Sequence, residues 1–96
     1  MLEVGKLYTC EKYHLLLFPD PETVGAAYAH NDRSAAADFG AAAAYWSNRF
    51  GKPVFYIKKN IPLLVLNNEE KFYEVLAGDR KGWIVYQDWL KIKEIE

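Results

Sequence analysis

The feature that most constrains the fold is "IPLLVLNNEEKFYEVLAGDRKGWIVYQDWLKIKEIE", residues 61–96. It holds strand-length apolar runs separated by very short polar breaks. "LLVL" and "KFYEVL" flank Asn67-Asn68-Glu69-Glu70, and "KFYEVL" and "GWIVY" flank Gly78-Asp79-Arg80-Lys81. Runs of four to eight aliphatic and aromatic residues bounded by Gly, Asn and Asp read as strands joined by tight turns. At the end, Leu90 and Ile92 alternate with Lys91 and Lys93, the period-two pattern of a strand with one buried and one solvated face.

Upstream, "KLYTC" and "YHLLLF" read as two further strands separated by "EK", and "PVFYIKKN" as another. "FPDPE" reads as a strand exit into a loop, because Pro19 and Pro21 lack an N–H and push the preceding residues toward extended backbone. The middle of the chain differs sharply. Ten of the eleven alanines lie between Ala26 and Ala44. "NDRSAAADFGAAAAYWSNRFGKP" carries helix punctuation at both ends: Asn31 or Asp32 as N-cap, Gly51 as the left-handed residue after the last turn, Pro53 as the block beyond it. Phe39, Ala43, Trp46 and Phe50 recur on one helical face, so a helix is expected over residues 34–50 with that face turned to the core. "PETVGAAYAH" fits either a short helical turn or a loop. Gly40 inside the helix costs about 1 kcal/mol against Ala.

The chain has 96 residues, and 51% are hydrophobic and 16% aromatic. That is enough apolar material for one core, and one domain spanning residues 1–96 is expected. Twelve Lys and Arg face thirteen Asp and Glu, for a net charge of −1 and a pI near 6.1. Such a balance argues against a protein that works by neutralising phosphates. Cys10 is the lone cysteine, so no intrachain disulfide forms. "MLEVGKLYTC" shows no basic stretch followed by an apolar one, and no run approaches the ~20 apolar residues of a membrane span. A soluble, cytoplasmic protein is the expectation.

The run "IPLLVLNNEEKFYEVLAGDRKGWIVYQDWLKI" resembles a bacterial SH3-like barrel. The carriers are Leu63–Leu66, Phe72-Tyr73, the Gly78–Lys81 hairpin, Gly82-Trp83 opening the next strand, Tyr86–Trp89 as a 3₁₀ turn, and Leu90–Ile95 as the last strand. "VGKLYTCEKYHLLLFP" resembles the first strand and long first loop. The resemblance implies an α+β, mainly β fold, with the Ala-rich helix inserted between the second and third strands, which ordinary members lack. It implies Trp83 as a core ring and Trp89 as an aromatic on a ligand groove. The region of the proline used by eukaryotic SH3 domains reads Val85-Tyr86-Gln87-Asp88.

Seven tyrosines are many for a core this size, and tyrosine is enriched at recognition surfaces. Tyr8, Tyr13, Tyr73, Tyr86 and Trp89 are therefore the candidate groove residues. Cys10 and His14 would share a face of one regular strand and could form a thiolate–imidazole pair or half a zinc site. Further ligands are lacking, and Cys10 reads as a small buried hydrophobe. "HNDR", His30–Arg33, reads as helix capping ahead of acid–base chemistry. Asp20 and Glu22 read as a solvated loop that could also select a basic ligand. Lys58-Lys59 and Lys91/Lys93 read as solvated strand edges that discourage edge pairing. No nucleophile elbow, phosphate-cradling loop or dinucleotide fingerprint is present.

The expected function is a non-catalytic interaction module that binds a protein or peptide through aromatics on a small barrel, without metal or cofactor. Homo-oligomerisation through the Ala-rich helix is open. The alternatives are a nucleic-acid-binding small barrel, marked by a contiguous basic face with exposed tyrosines once folded, and a small hydrolase or metal enzyme.

Overall fold

A computed structural model describes residues 1–12, 14–29, 39–87 and 90–95; Phe39, Gly40, Ala41, Tyr28 and Ala29 are described by their backbone alone. Among these residues, seven strands and two helices follow in the order β1 (Leu7–Cys10), β2 (Leu15–Leu17), α1 (Pro21–Ala29), α2 (Phe39–Phe50), β3 (Phe55–Ile57), β4 (Leu63–Glu69), β5 (Phe72–Ala77), β6 (Arg80–Val85) and β7 (Ile92–Glu94). The domain is mainly β, and each expected strand forms.

The five-stranded sheet runs β6-β5-β4-β1-β7, and β2 pairs with β3 in a second, two-stranded sheet. All the pairings are antiparallel. Ala77 pairs with Arg80, so Gly78-Asp79 is a two-residue hairpin turn; Gly78 takes φ +66°, which glycine adopts without a Cβ penalty. The β4–β5 turn falls later than expected. Glu69 pairs with Phe72, leaving Glu70-Lys71 as the turn, with Glu70 at φ +55°. Asn67 and Asn68 belong to β4. The Asn68 amide donates to the carbonyls of Glu70 and Phe72 and braces the turn from its side chain. A register shift between Val65 and Asn67 marks a bulge.

Strand alternation builds the first core. Tyr73, Val75 and Ala77 of β5 point inward with Leu63 and Val65 of β4, Cys10 of β1 and Leu17 of β2. The opposite phase builds a second layer. Phe72, Trp83 and Val85 meet Val24 and Ala27 of α1 and Trp46 and Phe50 of α2. The Ala-rich helix therefore lies on its own sheet: Ala42, Ala43 and Trp46 are buried, and the Trp46 and Phe50 rings stack at 5.4 Å. This matches the face drawn from Ala43, Trp46 and Phe50; the side chain of Phe39 and residues 34–38 lie outside the described residues. Gly51 terminates α2 at φ +67° and donates its N–H to the Ser47 carbonyl.

Two corrections follow. "FPDPE" does not exit into a loop: Pro21 is the first residue of α1 and Asp20 its cap. The Asp20 carboxylate accepts the Thr23 N–H at 2.8 Å, and the Thr23 hydroxyl faces back to the Asp20 N–H at 3.4 Å. Proline's missing N–H is one of those a helix start leaves unpaired anyway, which suits it to this position. Among the described residues the inserted segment thus holds two helices where one was expected. Trp83, in turn, is half-buried in the layer between sheet and helices, because it occupies the outward phase of β6.

Candidate functional site

Among the described residues, one isolated backbone bridge joins the two sheets. The N–H of Phe18 donates to the Trp83 carbonyl at 3.0 Å, and the N–H of Trp83 donates to the Phe18 carbonyl at 2.7 Å. β2 is thereby laid across β6, which sets the long insertion on the sheet's outer face. At the other end of β6 the chain turns a corner toward β7. The Tyr86 N–H donates to the Lys71 carbonyl at 2.8 Å, at the mouth of the β4–β5 turn. The Leu90 N–H donates to the Gln87 carbonyl at 3.0 Å, the short-range bond of a 3₁₀ turn. Leu90 is buried, and Lys91 at φ +55° swings the chain into β7.

The five aromatic groove candidates divide at this corner. Tyr86 is half-buried, with its ring edge-to-face on Tyr73 at 6.3 Å and 74°. Tyr73 itself is 1% exposed and Tyr8 is 6% exposed. Both point into the first core rather than onto a groove. The Tyr8 hydroxyl is satisfied there by the Glu3 N–H at 2.8 Å. Tyr13 and Trp89 lie outside the described residues. The alternation carried a signal for the two core rings: Tyr8 shares its phase with Cys10, and Tyr73 with Val75 and Ala77.

Cys10 and His14 have separate surroundings. β1 ends at Cys10, and the break at Glu11-Lys12 cancels the alternation that would put both on one face. The Cys10 thiol is buried and donates to the Leu90 carbonyl at 3.3 Å. His14 Nδ1 accepts the Lys59 N–H at 2.9 Å, and its ring lies 5.2 Å from that of Tyr56. Nδ1 is thus the accepting nitrogen of the ring. Among the described residues no group of three or more His, Cys, Asp or Glu is placed to hold a metal ion. His30–Arg33 lie outside the described residues.

Asp20 is committed to structure rather than to a loop that selects a basic ligand. Burial alone would raise its carboxyl; the hydrogen bonds from the Thr23 N–H, the Lys52 ammonium and the Thr23 hydroxyl outweigh it and hold the group below the usual carboxylate range. Lys52 Nζ sits 3.1 Å from the carboxylate, tying the end of α2 to the start of α1.

The polar grouping that sequence reading passed over is at the far end of β1. The Asn60 N–H donates to the Cys10 carbonyl at 2.8 Å, Cys10 pairs with Ile92, and Lys59 reaches His14. These contacts bring to one end of the domain the chain segments that carry the exposed Lys12, Lys58, Lys59, Lys91 and Lys93. Lysine spacing in the sequence hides this, since three separate segments supply it. No helix among the described residues is long and apolar enough to cross a membrane.

No protein-family model matches the chain, and no curated protein or solved structure is significantly similar to it.

Proposed function

We propose that this is an SH3-like small barrel acting as a non-catalytic module that binds a protein or peptide at the corner between β6 and β7. The observation that carries the reading is the strand order β6-β5-β4-β1-β7 with a 3₁₀ turn between its last two strands in sequence. That order follows the resemblance drawn from the sequence, in which the same corner borders the ligand groove. Tyr86 is its aromatic centre. Its backbone is anchored on Lys71 and its ring rests on the buried Tyr73, so the ring is pre-oriented and loses little freedom on binding. Tyr8 and Tyr73 support the barrel beneath and take no part in contact.

Trapping of partners on immobilised protein, with and without Tyr86→Ala, tests the reading. Aromatic anchors dominate small interfaces, and losing one costs about 2 kcal/mol or more of affinity. Tyr86→Ala is expected to fold with a lowered denaturant midpoint, because the ring packs on Tyr73 and the first core, and to lose its protein partners under conditions where it is fully folded. Retention of the same partners at the same salt would place the binding surface elsewhere.

A further inference from the structure

The helical layer covers part of the outer face of the five-stranded sheet, at Phe72, Trp83 and Val85. Beyond it the register sets a row of aliphatic side chains across four strands. Leu76 of β5 faces Leu64 of β4, and Leu64 faces Leu7 of β1. Ile95 comes next, in step with the β1–β7 pairing, and its N–H donates to the Leu7 carbonyl at 2.9 Å. Residues directly opposite across a ladder share a face, so the four stand side by side. Among the described residues, neither core includes them. Leu64 and Leu76 are half-buried, and Leu7 and Ile95 are 43% and 37% exposed. The solvated face of an antiparallel sheet is ordinarily polar, so a contiguous aliphatic row there marks a contact surface. Charges flank the row on one side. Two residues on from Leu7, Thr9 pairs with Lys93, which puts Lys93 beside the row at its β7 end. β5 runs in the same direction as β1, since both are antiparallel to β4. Two residues on from Leu76 the chain enters the Gly78-Asp79 turn, so Asp79 lies on that same side, at the other end of the row. Both Lys93 and Asp79 are exposed.

We propose that this row is the seat of a second copy of the chain, in a face-to-face homodimer whose two-fold axis passes over Leu64 parallel to the strands. A half-turn about that axis lays row on row, with Leu7 on Leu76 of the second copy and Leu64 on Leu64. The same half-turn brings Lys93 to Asp79 of the second copy, and it does so twice. The placement of opposite charges about Leu64 chooses the occupant, because a two-fold contact requires a surface complementary to itself. A half-turn about the row itself would instead bring Asp79 toward Glu74, which lies two residues before Leu76 on the other side of the row, and would set carboxylate against carboxylate. Four strands and three outward rows measure roughly 14 by 14 Å, so the dimer buries on the order of 1,000 Å² in total, near the lower limit for specific interfaces. The association is therefore weak and reversible. The Tyr86 corner lies at the opposite end of β6 from the Asp79 turn, so each surface can fail or hold without the other.

Sedimentation equilibrium of the full chain at low salt, from about 5 µM to about 1 mM to suit an interface of this size, tests the proposal. The protein is expected to pass from monomer to dimer across that range. Leu7→Glu should weaken association at least about tenfold, since it sets an unpaired charge against the aliphatic row of the second copy. Lys93→Glu and Asp79→Lys should each weaken it about three- to tenfold, and the double variant should return it to within about twofold of wild type. Within one chain Lys93 and Asp79 stand at opposite ends of the row, so such a rescue arises only between copies. Lys93→Glu also gives up the pair with Glu11, and denaturant midpoints of every variant register that loss and any failure to fold. If Leu7→Glu does not fold, the charge exchange decides. A monomer at every concentration, undiminished association of Leu7→Glu, or a double variant no tighter than either single one would overturn the proposal. So would a dimer that Ala44→Arg abolishes while Leu7→Glu leaves it intact, since Ala44 is exposed on α2 and the contact would then belong to the Ala-rich helix.

Discussion

A Cβ placed on Gly82 would lie 2.6 Å from the Leu17 Cβ, 3.0 Å from the Phe18 carbonyl oxygen and 3.2 Å from the Leu17 carbonyl carbon. None of these is the movable end of a side chain. Glycine is required at this position because β2 crosses β6 there, one residue from the Phe18–Trp83 bridge. Gly82→Ala forces the two backbones apart and should destabilise the protein by about 3 kcal/mol, at the top of the range for overpacking. Chemical denaturation checks it; a midpoint equal to wild type would mean the crossing is looser than described.

Gly25 makes the opposite case. It sits inside α1, and a Cβ there would meet the Phe72 ring at 3.5 Å, an ordinary contact. Alanine restores helix propensity worth up to about 1 kcal/mol and adds apolar contact. Gly25→Ala should therefore raise the thermal midpoint by several degrees, on the order of 4–8 °C per kcal/mol for a domain of this size. A lowered midpoint would contradict the packing of α1 on β5.

Asp20 links stability to pH. Its folded carboxyl is held below its ordinary value, so its contribution is fully present above about pH 4 and is lost as the pH falls through the folded value. Asp20→Asn keeps a capping oxygen but cannot titrate, so its stability should fall less steeply below pH 4 than that of wild type. Asp20→Ala removes the cap and should cost about 1 kcal/mol near neutral pH. Parallel acid limbs for wild type and Asp20→Asn, measured by circular dichroism, would dissociate this carboxylate from acid unfolding.

Ser47 locks the exit of α2. Its hydroxyl donates to the Ala43 carbonyl at 2.8 Å and accepts the Val54 N–H at 2.9 Å. Val54 is buried, so Ser47→Ala strands its N–H away from water, at a cost of about 1–3 kcal/mol. The neighbouring exposed Asn48 provides the control: Asn48→Ala should stay within about 0.5 kcal/mol of wild type in the same urea titration. Equal effects of the two substitutions would remove Ser47 from the latch.

Much of this architecture was legible because short-range physics wrote it. Each strand announced itself by composition and length, and Gly51 with Pro53 ended α2 where expected. α1 stayed open between a short helical turn and a loop because Pro19 and Pro21 read as strand-breakers, although Asp20-Pro21-Glu22-Thr23 also spells a cap followed by a first turn. The groove was misjudged at Tyr8 and Tyr73 because tyrosine is both a core filler and a surface residue; the phase of its neighbours separated the two, and composition did not. The basic end was beyond reading along the chain, since Cys10 meets Asn60 and Ile92 only after folding. The same holds for Gly82, whose need for no side chain comes from a strand more than sixty positions away.

The pairing of Leu7 with Leu64 and of Tyr8 with Glu94 also sets an order of events. β4, β5 and β6 are joined by two-residue turns and can zip locally, whereas β1 must be brought across most of the chain to both partners. Closing long loops before any contact rewards them is slow. The β4–β6 meander is thus expected to be structured at the folding barrier, with β1 and the helical layer arriving afterwards. Val75→Ala should slow refolding, while Tyr8→Phe and Ala27→Gly should chiefly speed unfolding. The insertion between β2 and β3 then rides on a scaffold that assembles without it, which leaves that segment open to change in length without slowing the rate-limiting step.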